Sequence, residues 1–136
     1  MKSENQSFAT IDMCIIDLYT GSVEFIKTGA EPSYIKKSTD VLSVSASSLP
    51  VGISAKAEPE FFCYNLTDGD LIVMATDGMQ SKKDGDSWLR KFIEEDNIND
   101  GAKCFAERLL KKAEEINNGI KDDMTVISVK LHKKAC

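Results

Sequence analysis

The stretch LIVMATDG, residues 71–78, decides the fold of this chain. Its first five residues are all apolar, which is typical of a β-strand buried on both faces. The apolar run ends abruptly at Thr76, and Asp77 and Gly78 follow. An Asp-Gly pair is typical of a tight turn, whereas an aspartate at the end of a rigid strand can also bind a metal ion. The strand is predicted in either case, and the role of Asp77 depends on what else the chain brings to that end.

Length and composition limit the classes of protein to consider. The 136 residues suit one domain, residues 1–136, and 42% of them are hydrophobic, which is enough to bury a core. The formal net charge of −5 argues against nucleic-acid binding, which needs clustered Lys and Arg, and against an anionic membrane surface. No apolar run approaches the roughly 20 residues that a membrane helix needs, and no signal peptide is visible. We therefore expect a cytoplasmic chain without a membrane segment.

The cysteines and the histidine argue against a sulfur-rich metal site. The four cysteines form no Cys-x-x-Cys pair, and the one histidine, His132, has no neighbouring ligand. We expect reduced thiols and no structural zinc site.

The pattern of apolar residues predicts seven strands and two helices. The strands are expected at residues 8–17, 23–28, 33–36, 41–44, 60–66, 71–76 and 124–131. One helix is expected around Trp88 to Ile93, and a longer one from Ala102 to Ile116. Antiparallel strands, then two helices, then one closing strand make an α+β arrangement rather than alternating βαβ units.

The longer helix has a signal at each end. Asn99 or Asp100 is predicted to cap its N-terminus. Asn118 and Gly119 are predicted to end it through a left-handed residue.

A second acidic pair, Asp122-Asp123, stands directly before the closing strand. If that strand pairs antiparallel with the strand that ends at Asp77, the carboxylates converge at one edge of the sheet. Converging carboxylates repel one another unless a cation lies between them. Hard oxygen ligands suit Mg²⁺, Mn²⁺ or Ca²⁺, and Gly78 lets the backbone approach a ligand closely. The residues alone leave a metal site and two solvated turns as open alternatives.

Five segments in sequence order resemble a known family. They are ATIDMCIIDLYTG, VEFIKTGAEPSYI, SLPVGI, DGDLIVMATDGM and DDMTVISVKL, and they run from about Phe8 to Leu131. The chain resembles the C-terminal part of the metal-dependent protein serine/threonine phosphatases of the 2C type. Within these, it is most similar to the phosphatase domain of the stage II sporulation protein E family. The most specific mark is Thr-Asp-Gly and Asp-Asp-Met-Thr, separated by a helical segment.

The resemblance implies an antiparallel β-sandwich flanked by helices, with a pair of Mn²⁺ or Mg²⁺ ions at one end. It implies that Asp77 and Asp122 are catalytic metal ligands, one for each ion. Gly78 and Asp123 are implied to support these ligands without binding an ion directly. In such a site a water between the ions attacks the phosphorus of phosphoserine or phosphothreonine in line.

Two further segments are placed by the same resemblance. Gly29 lies in a turn that is expected near the active site. Residues 47–53, SSLPVGI, resemble a regulatory region next to the metal site.

One departure from the family pattern bears on activity. The family has an earlier Asp-Gly motif whose aspartate bridges both ions, and this chain starts too late to contain it. Glu4 precedes any strand, and Asp12 lies within an apolar strand. We therefore expect a partial domain that lacks the N-terminal strands and helices, binds metal weakly and has little or no phosphatase activity by itself. Open sheet edges and an uncovered apolar face should favour self-association.

Two functions from different classes follow. As an enzyme, the substrate that the resemblance implies is a phosphorylated anti-anti-sigma factor, and the outcome is sigma-factor activation in sporulation. The alternative is a non-catalytic half-domain that acts as a protein-interaction module.

Overall fold

The computed structural model describes residues 7–81, 85, 87–119 and 122–135. Its seven strands and two α-helices follow the predicted order. The elements are β1 (Ile11–Ile16), β2 (Ser22–Thr28), β3 (Ser33–Lys36), β4 (Val41–Val44), β5 (Glu60–Asn65), β6 (Leu71–Ala75), α1 (Ser87–Glu95), α2 (Ala102–Ile116) and β7 (Val126–Lys130). A single 3₁₀ turn, Asp77–Met79, follows β6. Two antiparallel sheets and two helices confirm the predicted α+β class.

The chain divides into two compact units. The first unit comprises Met1–Glu31 and Val44–Leu66, and it holds the three-stranded sheet β1-β2-β5. The second unit comprises Pro32–Ser43 and Thr67–Cys136, and it holds the sheet β4-β3-β6-β7 together with both helices. Among the described residues, neither helix has the length and apolar character that crossing a membrane demands.

The sheet of the first unit leaves many apolar side chains exposed. On β2, Phe25 and Lys27 are each 0% exposed, because alternate residues of a strand point to the same face. On β1, in contrast, Ile11, Met13 and Ile15 are 42%, 47% and 54% exposed. β1 is also an edge strand of this sheet. The first unit therefore presents both an open edge and apolar side chains on the same strand.

The buried Lys27 is neutralised by its neighbour on β1. Its Nζ lies 2.7 Å from Oδ1 of Asp12, and the two residues are paired in the strand register. Burial lowers the pKa of Lys27, and the carboxylates of Asp12 and Glu31 oppose that shift. Asp12 therefore serves in an ion pair within the sheet.

The core of the second unit lies between its sheet and its helices. It consists of Tyr34, Val41, Leu71, Val73, Met79, Leu89, Ile93, Ile98, Phe105, Leu109 and Ala113. The last three recur at helical spacing on α2, as the predicted apolar face requires. β6 lies between β3 and β7, and Leu71 to Met74 are all buried, which explains its continuous apolar run.

The predicted cap of α2 by Asn99 or Asp100 is wrong. The helix is preceded by Gly101 at φ 92°, and no side chain caps its first turn. The carboxylate of Asp100 is paired with the guanidinium of Arg108 instead. The Asp100 side chain, which the sequence signal assigned to the cap, therefore forms an ion pair with Arg108 on α2 instead.

The other end of α2 confirms the prediction. Asn118 has φ 49° and Gly119 has φ 74°, so the chain leaves the helix through the left-handed region.

Candidate metal centre

The site is built on the antiparallel pairing of β6 with β7. The last residue pair of the ladder joins Ala75 to Val126. The pairing extends one residue further, because the N–H of Thr76 donates to the carbonyl of Thr125 at 3.1 Å. In return, the N–H of Thr125 donates to the side-chain Oγ1 of Thr76 at 2.9 Å. The two chain segments are thus held together just beyond the ends of their strands.

Thr76 also starts the turn that presents Asp77. Because the Thr76 hydroxyl accepts the N–H of Thr125, the Thr76 carbonyl is left to accept the N–H of Met79 at 3.0 Å. The carbonyl of Asp77 then accepts the N–H of Gln80 at 2.9 Å. These two bonds define the 3₁₀ turn and place Asp77 at its first position.

Gly78 packs directly against the backbone of the second acidic segment. A Cβ added to Gly78 would lie far inside van der Waals contact with the carbonyl oxygen of Asp123 and 3.1 Å from its carbonyl carbon. Gly78 has no positive φ, so its close approach, rather than backbone conformation, requires glycine. This contact brings the peptide next to Asp77 against Asp122-Asp123.

The two acidic segments therefore lie side by side at one rim of the sheet, while the convergence of their carboxylates stays a prediction. Asp77, Asp122 and Asp123 are all exposed there. The carboxylate of Asp122 accepts the N–H of Asp123 at 2.9 Å, a local contact in the segment before β7. The assignment of Asp77 and Asp122 as metal ligands stays a prediction.

The donor atoms at this rim suit a hydrated hard cation. Carboxylate oxygens are the ligands of Mg²⁺ and Mn²⁺, and Mg²⁺ commonly binds one or two carboxylates while it keeps several waters. Among the residues that the structure describes, no group of three or more His, Cys, Asp or Glu side chains could hold a metal ion. The described residues therefore form no complete protein cage for an ion at this rim.

Asn117 is a residue of this site that the sequence patterns did not identify. Its Nδ2 donates to the carbonyl oxygen of Gly78 at 3.3 Å. The sequence Asn117-Asn118-Gly119 carries a clear helix-end signal, but only the fold brings α2 to the turn after β6. The local sequence signal that could have identified Asn117 is the position of its amide a few residues before Asp122-Asp123.

The turn at Gly29 belongs to the first unit. Gly29 has φ 59°, and its N–H donates to Oγ of Ser48 at 3.3 Å. A Cβ at Gly29 would collide with the backbone of Pro50. Gly29 is thus packed against the segment 47–53, and the expectation that both lie near the active site stays a prediction.

A carboxylate fixes that same segment. Glu60 Oε1 accepts the N–H of Ser47 at 2.8 Å and the N–H of Ser48 at 2.5 Å. Burial raises the pKa of Glu60, but the hydrogen bonds from Ser47 and Ser48 outweigh it and hold that pKa below its usual range. The backbone of the segment is therefore ordered by charge-assisted hydrogen bonds.

Known proteins share both the sequence and the fold. The family model described as Stage II sporulation protein E (SpoIIE) matches residues 1–132. The chain is 32% identical over 136 residues to the stage II sporulation protein E of Bacillus subtilis (strain 168), a match that covers 96% of this chain and 16% of that protein.

Two solved structures give the fold match. The phosphatase domain of the cell fate determinant SpoIIE from Bacillus subtilis, presoaked with Mn, is 32% identical with a TM-score of 0.78, and the match covers 94% of this chain and 58% of that one. The PP2C phosphatase domain of the same determinant, with a fragment of its regulatory domain, is 32% identical with a TM-score of 0.84, and the match covers 100% of this chain and 41% of that one. The fold is therefore of the PP2C phosphatase type, and the chain spans less than two thirds of each relative.

The close approach at Gly78 makes a testable prediction about stability. Gly78→Ala should lower the free energy of unfolding by about 1–3 kcal/mol, because the added methyl group must displace the backbone of Asp123. Urea denaturation measures the change. Gly119→Asn is the matched control, since its position has open space and a left-handed φ that Asn tolerates. A Gly78→Ala protein as stable as the control would show that the two segments do not touch.

Proposed function

The chain belongs to the stage II sporulation protein E (SpoIIE) family, and from that premise we propose that it supplies two metal-binding aspartates to a protein serine/threonine phosphatase domain. One observation carries the proposal. Gly78, next to Asp77, packs on the carbonyl of Asp123, next to Asp122, just beyond the end of the β6–β7 pair. Two unrelated solvated turns would not require this close backbone contact.

Mn²⁺ or Mg²⁺ is the proposed cofactor, and a Mn-presoaked relative supports that choice. Asp77 and Asp122 would hold the ions through their exposed carboxylates, while Gly78 and Asp123 shape the backbone between them. When bound, the ions would activate a water and neutralise charge on the transferring phosphoryl group. The protein's own contribution is to keep two carboxylates at a fixed separation despite their mutual repulsion.

The chain alone is proposed to be a weak binder and a poor enzyme. The bridging aspartate of the family comes from an earlier Asp-Gly motif, which has no counterpart among residues 1–136. Two carboxylates without that third ligand give an ion few protein contacts. Full activity is therefore proposed for a domain that holds the bridging aspartate together with Asp77 and Asp122.

The proposed substrate is a phosphorylated anti-anti-sigma factor in the cytoplasm, whose dephosphorylation would activate a sigma factor in sporulation. Family membership is what supports this substrate. The segment 47–53, ordered by Glu60, is the proposed regulatory region.

Titration with Mn²⁺ followed by calorimetry tests the metal assignment. The chain should bind Mn²⁺ weakly, and Asp77→Asn or Asp122→Asn should each weaken binding at least tenfold, because each removes a charged ligand. Asp40→Asn is the matched control, since it removes the same charge from another exposed position in the second unit. Equal Mn²⁺ affinity in all four proteins would refute the assignment of the ligands.

The alternative function, a non-catalytic interaction module, has its own supporting observation. Apolar side chains remain exposed on two edge strands. Met13 on β1 is 47% exposed, and Ile127 on β7 is 52% exposed. Open strand edges with apolar side chains are templates for pairing with another chain. We propose that copies of the chain associate through these edges.

Sedimentation velocity over a range of concentrations tests this association. The chain should form dimers or larger species, and Met13→Lys together with Ile127→Lys should shift it toward monomer, because charges on edge strands oppose pairing. Leu18→Lys is the control, since Leu18 is 80% exposed at a hairpin turn outside the strands. A wild-type chain that stays monomeric at high concentration would contradict the proposal.

A further inference from the structure

Asn117 occupies the junction between α2 and the candidate metal centre. It is the C-terminal cap residue of α2, and its backbone N–H donates to the carbonyl of Ala113 at 3.0 Å. Its side chain is half-buried, and Nδ2 donates to the carbonyl oxygen of Gly78 at 3.3 Å. The backbone of Asn117 thus belongs to the helix, while its side chain belongs to the turn after β6.

The turn's own bonds leave the carbonyls of Gly78 and Met79 to side chains, and that of Met79 accepts the indole N–H of Trp88 at 3.2 Å. The carbonyls of Thr76 and Asp77 accept the N–H groups of Met79 and Gln80. The carbonyl of Gly78 accepts the Asn117 amide. An unpaired buried peptide group costs free energy, so this bond favours one orientation of the peptide between Gly78 and Met79, within the turn that begins at Asp77.

The Gly78 peptide is therefore held from two directions. The carbonyl of Asp123 packs on the α-carbon of Gly78, and the amide of Asn117 binds its carbonyl oxygen. Because a 3₁₀ turn of three residues has few internal bonds, these outside contacts determine how firmly Asp77 is held.

We propose that Asn117 is a positioning residue for the Asp77 turn: its amide ties the end of α2 to the Gly78 carbonyl and so fixes the direction of the Asp77 carboxylate toward a bound divalent cation. The inference rests on the proposed function for the identity of the ion. Asn117 acts through the backbone and does not itself bind metal. Groups that orient a metal ligand typically change metal affinity by about 10- to 100-fold when they are removed.

The residue type fits this role. An amide donates to a carbonyl without adding charge beside two carboxylates, whereas an aspartate at this position could only accept. The backbone of the same helix end leaves α2 through the left-handed residues Asn118 and Gly119.

Mn²⁺ affinity and carbonyl NMR shifts of the chain test the proposal together. Asn117→Ala should raise the Kd for Mn²⁺ about tenfold. In the metal-free chain it should also move the ¹³C′ signal of Gly78 and the amide signal of Asp77. Asn117→Gln keeps the amide donor and should restore part of both changes. Asn118→Gly, which keeps the left-handed conformation next to the same helix end, should change neither.

The outcomes separate this proposal from the metal assignment. If Asp77→Asn binds Mn²⁺ as the wild type does, the metal assignment fails, and the metal-free Gly78 signal still decides whether Asn117 holds the turn. If Asn117→Ala leaves the Gly78 signal and the Mn²⁺ affinity at wild-type values, the positioning role is overturned. A change in thermal stability alone, with the Gly78 signal unmoved, would make Asn117 a helix-end residue only and would also overturn it.

Discussion

The hydrogen bonds between Thr76 and Thr125 are the constraint on which the rest of the site depends. They extend the β6–β7 ladder by one residue, but one of them uses a hydroxyl in place of a carbonyl. Because the hydroxyl accepts the Thr125 N–H, the Thr76 carbonyl can accept the first hydrogen bond of the turn while the ends of β6 and β7 stay paired. A strand pair that simply continued would carry Asp77 onward in the sheet, and one that simply separated would release it into solvent. The threonine side chain allows the chain to turn without separating.

The core of the second unit supports this constraint from beneath. Phe105 and Leu109 on α2 are fully buried, and α2 packs against β7. Hydrophobic burial therefore fixes the helix, and its end delivers Asn117 to the Gly78 carbonyl. Apolar packing sets the positions of the helix and strands, while a few hydrogen bonds at the rim, such as that from Asn117 to Gly78, set the local backbone geometry. That division keeps the two acidic segments adjacent at the rim.

Local sequence signals predicted most of the elements but little of the contact geometry. The run from Leu71 to Met74 identified its strand because both faces are buried, and Asn118-Gly119 identified the end of α2 because left-handed residues favour those types. The cap at Asp100 failed because Arg108, which no local rule considers, takes its carboxylate. The role of Asn117 was hidden for the same reason, since its partner Gly78 is distant in sequence. Patterns report what a residue prefers locally, and tertiary contacts between distant residues decide which preference is used.

The central claim is that Asp77 and Asp122 belong to one divalent-metal centre at the rim of the sheet. Paramagnetic broadening in ¹H–¹⁵N spectra tests it most directly, because Mn²⁺ broadens the signals of amides close to it. At substoichiometric Mn²⁺ the signals of residues 76–79 and 122–125 should broaden together, while those next to Asp40 and Asp68 should stay sharp. Broadening of only one of the two segments, or equal broadening beside every exposed aspartate, would contradict the claim.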